Sequence, residues 1–331
     1  MGKQIRWMWI ATVAALACGD QDDGVGHGRV TVVVDAEDSI VEGVSAGTAV
    51  EQIADGWQVE FDRYIVAIGH VTLTLARNSE IVREIEESFA VDLATLNSQG
   101  LALWEFEDLA AETWQIEYAT VAAGDADPIR HRSVSERDHA ALIEQDATYL
   151  IAGRLSADEG MSCPPPAHAD PGDATPTGER DTGEPCYDNP SIEFSWLVPA
   201  ETTYGPCEVD GVEGVSVPEG GTRSVALTLH GDHIFFNGFP GGSEGGITRL
   251  AQWLADSDLN LDGEVTREEL EAISPADLAE LDERYNLDAP FEDLLPLDDL
   301  WTYVRAQLRT QGHFEGEGEC ALGGRAHDHD H

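Results

Sequence analysis

Between residues 29 and 237, apolar side chains alternate with polar ones along the chain. Six runs show this period of two clearly. Their apolar positions are Val30, Val32 and Val34; Trp57, Val59 and Phe61; Val71, Leu73 and Leu75; Trp114, Ile116 and Tyr118; Ile192, Phe194 and Trp196; and Val225, Leu227 and Leu229. Such alternation is typical of strands that bury one face. Because polar turns join the runs without a regular strand–helix alternation, we expect an antiparallel β-sandwich-like domain over residues 29–237.

Two stretches interrupt this pattern. Residues 162–190 contain three successive prolines and many acidic side chains, which predicts a long surface loop. Glycines dominate residues 238–246, and beyond them the apolar period lengthens to about 3.6, the period of a helix. We therefore predict a mainly β fold followed by a small helical unit over residues 244–312, with one helix from Ser274 to about Tyr285 and another over residues 297–308. Residues 313–331 are rich in glycine and histidine and are predicted to form a C-terminal tail.

The strongest candidate site lies in the predicted helical unit, where oxygen-bearing side chains occupy alternate positions of a short segment. The candidate ligands are Asp258, Asn260, Asp262, Glu264, Thr266 and Glu269. A calcium ion prefers six to eight oxygen ligands, and this spacing turns them toward one point. Gly263 permits the sharp turn, Glu264 would bind through its backbone carbonyl, Thr266 directly or through a water, and Glu269 with both carboxylate oxygens.

This segment resembles the calcium loop of the EF-hand family, and the resemblance covers residues 246–274. Apolar residues flank the loop at helical spacing, namely Leu250, Trp253 and Leu254 before it and Leu270 and Ile273 after it. The resemblance implies a calcium cofactor held between two helices, with Val265 in the core. EF-hands usually occur in pairs, but the chain has no second loop of this spacing. We therefore expect a weak site, or one that depends on its host domain. The alternative interpretation is an acidic capped turn between helices.

The chain is strongly acidic, with 64 Asp and Glu against 18 Lys and Arg and a formal net charge of -46. Its only lysine is Lys3. A nucleic-acid-binding protein or one that binds an anionic membrane surface needs a basic patch, so both classes are disfavoured. A field of this sign concentrates cations around the protein, although it is also compatible with simple adaptation to a salty environment.

The N-terminus is typical of an export signal. Lys3 and Arg6 precede an apolar run that is too short to span a membrane. The sequence around Cys18, with small residues on both sides, resembles a bacterial lipoprotein processing site, although Ala15 stands where leucine is usual. This resemblance implies that residues 1–17 are removed, that Cys18 bears a lipid, and that residues 18–28 form an acidic tether. An ordinary secretory peptide is the alternative.

Four cysteines remain after Cys18, an even number in an oxidising compartment. They are Cys163, Cys186, Cys207 and Cys320. Three pairings are possible, and we favour Cys163 with Cys186 and Cys207 with Cys320. The first bond would close the loop at residues 162–190 and stabilise the protein by roughly 3 kcal/mol through loop-closure entropy. A zinc site is the alternative, but no C-x-x-C spacing occurs.

Histidines form a second candidate site, for a transition metal. His230 and His233 lie three residues apart at the end of a predicted strand, so they share a metal only if Gly231 and Asp232 form a turn. His70 is a conceivable third ligand. The alternating His327, His329 and His331 of the tail bind such metals by composition alone.

Residues 43–47 read G-x-S-x-G, the pattern of a hydrolase nucleophile, but the required strand, turn and long helix are not predicted around them. We therefore expect a loop there and no enzymatic activity. The sequence favours an exported, lipid-anchored calcium-binding protein with a structural or binding role in the bacterial cell envelope. Its protein partner and the membrane face are not specified. The alternative function is a periplasmic protein that binds zinc, copper or nickel.

Overall fold

The computed structural model describes residues 26–240, 246–277, 284–285 and 296–323. As predicted, the described chain is mainly β, and its sheets include a curled half-barrel. The strands are β1 His27–Ala36, β2 Gln58–Leu75, β3 Val82–Ile85, β4 Phe89–Asp92, β5 Leu101–Ala110, β6 Thr113–Thr120, β7 Ile129–Arg130, β8 Tyr149–Ser156, β9 Met161–Ser162, β10 Gly178–Glu179, β11 Pro185–Asp188, β12 Ser191–Val198, β13 Thr202–Val209, β14 Val212–Glu213, β15 Val215–Ser216, β16 Thr222–Leu229, β17 Glu264–Val265, β18 Gly312–Phe314 and β19 Glu319–Leu322.

The helices are short. They are α1 Asp38–Val41, α2 Ala123–Ala126, α3 Glu136–Glu144, α4 Gln252–Ala255, α5 Arg267–Ala272 and α6 Leu300–Leu308, with 3₁₀ turns at Leu93–Thr95 and Gly231–Phe235. Over the described ranges, no helix has the length and apolar character needed to cross a membrane. The predicted helix over residues 297–308 is present as α6. It begins only at Leu300 because Asp299 caps it, accepting a hydrogen bond from the Thr302 backbone N–H at 2.7 Å.

The larger sheet has twelve strands and is organised around β2. Its main path runs β14-β13-β6-β2-β8-β12-β17, and β3, β4, β7, β15 and β19 pair beside this path. The long strand β2 pairs antiparallel with β8 along its first half and with β6 along its second. The last strand, β17, pairs parallel with β12, and this pairing fixes the position of the candidate calcium loop.

The smaller sheet runs β18-β16-β1-β5. Its central pair, β1 and β16, is parallel, with Val32 opposite Val225, whereas β1 and β5 are antiparallel. The predicted alternation is confirmed here, since Val30, Val32 and Val34 are all buried. Most strand pairs are antiparallel, as predicted, but β1 with β16, β4 with β7 and β12 with β17 are parallel. A parallel pair needs a long crossover connection, and most of the large sheet lies between β1 and β16 along the chain.

The two sheets face one hydrophobic core, and the segment after residue 246 contributes to the same core. Trp253, Leu254, Val265, Leu270 and Trp301 belong to one continuous cluster with the strand residues. The described helices of the predicted helical unit therefore pack directly on the β-rich body. The helix predicted from Ser274 to about Tyr285 starts with one helical turn at residues 275–277, and most of its remainder lies outside the described residues.

Both favoured disulfides are confirmed. Cys163 pairs with Cys186 and closes the loop at residues 162–190, in which β9, β10 and β11 form a small third sheet. Cys207 of β13 pairs with Cys320 of β19. Residues 312–322 thus supply two strands, β18 and β19, which differs from the predicted tail over residues 313–331. The tail histidines His327, His329 and His331 lie outside the described residues.

Candidate functional site

The acidic loop at Asp258–Glu269 connects α4 to α5 and is attached to the large sheet. Val265 is fully buried and lies opposite Phe194 in the parallel β17–β12 pair. Two further hydrogen bonds fasten this side of the loop: the Glu193 N–H donates to Gly263 O, and the Trp196 indole donates to Val265 O, both at 2.8 Å. Strand β12 thus holds this side of the loop against the large sheet.

The first candidate ligand, Asp258, has no solvent exposure. Its carboxylate accepts hydrogen bonds from the Asp262 backbone N–H at 3.1 Å, the Gly263 N–H at 2.9 Å and the Asn189 side-chain amide at 2.9 Å. Gly263 has φ +84°, which a glycine adopts without strain. The turn at Gly263 therefore folds the backbone back over Asp258, as the sequence predicts.

The middle of the loop is exposed and is organised by short-range bonds. Asn260 Oδ1 accepts from the Asp262 N–H at 2.8 Å, and Asp262 Oδ1 accepts from the Glu264 N–H at 3.0 Å. The amide of Asn260 also donates to Asp262 Oδ2 at 3.1 Å. Each carboxylate oxygen has two lone pairs, so a single N–H bond leaves it able to bind a cation.

The last candidate ligand, Glu269, is held at the start of α5 in a capping box. Its Oε2 accepts from the Thr266 N–H and hydroxyl, both at 2.8 Å, and the Thr266 hydroxyl accepts from the Glu269 N–H at 3.3 Å. Its Oε1 accepts from the Leu259 N–H at 3.1 Å, across the loop. Glu269 therefore joins the two ends of the loop, and its side chain is largely buried.

Burial raises the pKa of the Asp258 carboxyl above its usual value. The Gly263 N–H and the Asn189 amide lower this pKa, and the negative charges of Glu269 and Asp262 raise it. The anionic form of Asp258 is therefore disfavoured by low solvation and by its carboxylate neighbours. A divalent cation would relieve both effects, because it supplies the missing positive charge at the buried end of the loop.

The loop is also attached to the disulfide-closed segment at residues 162–190. Asn189 donates to Asp258 and to the Ser162 hydroxyl, each at 2.9 Å, and the Asp170 N–H donates to Leu259 O at 2.8 Å. Sequence reasoning missed Asn189, because it lies 69 residues before Asp258. Its only sequence signal is its position three residues after Cys186, where the chain leaves the disulfide-closed segment.

Asp256, two residues before the loop, reinforces this attachment. Its buried carboxylate accepts from the Cys163 N–H at 2.7 Å and forms an ion pair with Arg180. Burial raises the pKa of Asp256, and the Arg180 guanidinium opposes that shift. The disulfide loop, α4 and the acidic loop therefore form one connected polar network.

The six predicted ligand positions do fall within one loop, but the three carboxylates do not meet at a single point. Among the described residues, the groups of three or more His, Cys, Asp or Glu side chains with ligand atoms within 4.8 Å of one another both contain His230. Asp258, Asp262 and Glu269 form no such group. Like charges repel, and each of these carboxylates is turned toward backbone N–H groups of the loop instead.

Comparison with protein families, with curated proteins and with solved structures gives no match.

The histidines predicted as a second site divide into two groups. A 3₁₀ turn at Gly231–Phe235 brings His230 and His233 together, with ring centroids 5.7 Å apart, as the predicted turn requires. The expectation for His70 is wrong, because His70 is exposed and lies on β2 outside this group. His313 of β18 takes the third position, with its ring centroid 4.1 Å from that of His230.

Two sequence candidates remain, the G-x-S-x-G stretch at residues 43–47 and Cys18. Ser45 of the G-x-S-x-G stretch accepts a hydrogen bond from the Gln52 amide at 3.2 Å, and its neighbours Val44 and Ala46 form isolated β-bridges. The strand-to-helix turn of a hydrolase is thus not formed there. Cys18, the predicted lipidation site, and the predicted signal peptide lie outside the described residues.

Proposed function

We propose that the protein is an exported, lipid-anchored, calcium-binding protein with a structural or binding role in the bacterial cell envelope. Asp258, Asn260, Asp262 and Glu269 would bind the ion through side-chain oxygens, Glu264 through its backbone carbonyl, and Thr266 directly or through a water. This donor set is entirely of hard oxygens, which is the set that calcium prefers. We propose no catalytic role.

The observation that supports this proposal best is the attachment of the loop to the large sheet. A single loop of this kind lacks the partner loop that normally rigidifies it. Here the Val265 segment pairs with β12, and the Glu193 N–H and the Trp196 indole bond to the loop backbone. The sheet therefore gives the single loop the rigid support that a second loop would otherwise provide.

The proposal predicts one calcium ion per chain, with a dissociation constant of roughly 10⁻⁴ to 10⁻³ M, as in extracellular modules. Glu269→Gln keeps the shape of the side chain but removes its charge, and Asp258→Ala removes the buried ligand. Either change should abolish most of the calorimetric signal. Glu268→Gln is the matched control, because Glu268 is the exposed neighbour outside the ligand positions and the same charge is lost.

One outcome of the calcium titration would contradict the proposed site. If Glu269→Gln and Asp258→Ala bind calcium as tightly as Glu268→Gln does, the ion is held elsewhere on this acidic surface, and the loop is only a capped turn.

The proposed anchor is tested separately. Expressed in a bacterium with labelled fatty acid, the protein should incorporate label and sediment with membranes, whereas Cys18→Ser should remain unlabelled or unprocessed. Full-length, unlabelled chain in the cytoplasm would refute the anchor without affecting the calcium proposal.

A further inference from the structure

Three separate parts of the chain meet beside the 3₁₀ turn at Gly231–Phe235. Glu37 precedes α1, His230 and Asp232 begin the turn, His233 lies within it, and His313 is the middle residue of β18. Ligand atoms of His230, His233 and His313 all lie within 4.8 Å of one another, and so do those of Glu37, His230 and Asp232. These two overlapping groups, which share His230, are called the histidine cluster below.

The turn that carries His230 and His233 packs closely on α1. A Cβ atom on Gly231 would lie 2.6 Å from Ile40 Cγ1, so only glycine lets the turn pack this closely on α1. The Gly231 N–H donates to the Ser39 hydroxyl at 3.0 Å, and the same hydroxyl donates to Glu37 at 2.6 Å. The turn and Glu37 are therefore fixed relative to each other.

Several buried polar atoms in the cluster have no partner. Both ring nitrogens of His313 and Oδ1 of Asp232 are inaccessible to solvent and accept or donate no hydrogen bond. A buried polar atom without a partner is costly, about 1–3 kcal/mol for each group. Unpartnered atoms on two residues of the cluster point to a bound group that would satisfy at least one of them.

The hydrogen bonding of His233 leaves one of its nitrogens available. The Thr310 hydroxyl donates its hydrogen to Gln307 O at 2.8 Å, so it must accept from His233 Nδ1, at 2.9 Å. His233 is therefore the tautomer with hydrogen on Nδ1, and Nε2 has a free lone pair. A bond from the other ring nitrogen to a fixed acceptor is the usual way in which a metal-binding histidine is oriented.

His230 lies between two oxygen atoms. Its Nδ1 is 3.3 Å from Glu37 Oε2, and its Nε2 is 3.2 Å from Gly316 O. A metal ion would replace one of these two contacts, and the other would then hold the ring. Asp232 is paired with Arg249 through Oδ2, which leaves the unpartnered Oδ1 as a possible oxygen ligand.

We propose that His230, His233 and His313 bind one divalent transition-metal ion, of the zinc or copper type, with Asp232 or Glu37 as the nearest carboxylate. Neutral imidazole is a favoured ligand of zinc, copper, iron and nickel, whereas calcium prefers oxygen. Histidine binds a metal ion as the neutral imidazole. The site shares no residue with the calcium loop.

The test uses the mature full-length chain in which His327, His329 and His331 are replaced by alanine, so that the tail binds no metal. Calcium is present in excess to occupy the acidic loop. Titration with Zn²⁺ should show one equivalent bound. His313→Gln and His233→Gln should each weaken binding by more than about 100-fold, because loss of an outer-shell partner alone costs 10–100-fold. His70→Gln is the matched control, since His70 is exposed.

Glu37→Gln tests the positioning role of Glu37 and should weaken Zn²⁺ binding by about 10–100-fold while the stoichiometry stays at one. Circular dichroism checks the fold of each variant. If His313→Gln does not fold, the parent protein loaded with Cu²⁺ still decides, because its electron paramagnetic resonance spectrum should show coupling to three nitrogens. Oxygen-only coordination, no stoichiometric binding by the parent, or unchanged affinity in a folded His313→Gln variant would each overturn the proposal.

Discussion

Calcium should raise the melting temperature of the whole β-rich body rather than that of a separate helical unit. The reason is structural: β17, in the middle of the proposed calcium loop, is the end strand of the twelve-stranded sheet. Val265 is fully buried in the common core, and the Trp196 indole bonds to its carbonyl. Unfolding of the body therefore breaks the loop, so an ion that binds only the folded loop stabilises the entire body.

The size of the effect follows from mass action. At 10 mM calcium, a dissociation constant of 10⁻⁴ M gives a stabilisation of about 2.7 kcal/mol, and one of 10⁻³ M gives about 1.4 kcal/mol. For domains of 150–250 residues, 1 kcal/mol shifts the melting temperature by about 2–4 °C. We therefore expect the melting temperature to rise by about 3–11 °C. The lower part of this range is favoured, because the chain has 331 residues and the shift per kcal/mol falls as a protein becomes larger.

Differential scanning calorimetry with and without calcium measures this shift. One transition that moves as a whole is expected, and it should stay in place in Glu269→Gln but move in Glu268→Gln. Magnesium should cause a smaller shift, since it prefers a smaller octahedral shell and dehydrates reluctantly. The reasoning is refuted if a separate low-temperature transition moves with calcium while the main transition does not.

Two further predictions concern the surroundings of the loop and the core. Asn189→Ala should lower the calcium affinity about 10-fold or more, because Asn189 orients Asp258, whereas the exposed Asn97→Ala should not; equal affinities by calorimetry would contradict this. Burial raises the pKa of Tyr64, Tyr118 and Tyr204 well above 10. Their contribution to stability is therefore complete below pH 10 and is lost as pH rises above it, because only the unfolded chain ionises there; urea unfolding at pH 8 to 11 checks this, and a flat profile would contradict it.

The strands could be predicted because the alternation is local and regular. In β1, every second residue from Val30 to Val34 is buried, and the same holds for Val225, Leu227 and Leu229 of β16. The parallel pairing of β1 with β16 could not be predicted. Alternation specifies which face of a strand is buried but says nothing about its neighbour, and both strands would read the same in an antiparallel pair.

The acidic loop could be located for a similar reason, since its oxygen atoms lie within one short segment. What the sequence could not provide is the partner of the loop. Phe194 is recognisable as a strand residue, but its pairing with Val265 joins positions 71 residues apart. The same holds for Asn189, whose bond to Asp258 depends on the path of the disulfide-closed loop.

The third ligand of the histidine cluster could not be predicted from the sequence. His230 and His233 are close in sequence, but two histidines do not make a site, and His70 is no better a third ligand on sequence grounds than His313. The third ligand is decided by the antiparallel pairing of β16 with β18, which places His313 opposite Thr228, two residues before His230. The local signal at β18 is weak, because Gly312 and Phe314 flank His313 in a strand of only three residues. Sites whose ligands come from distant segments are thus specified by strand register, and the unpartnered nitrogens of His313 become meaningful only once that register is known.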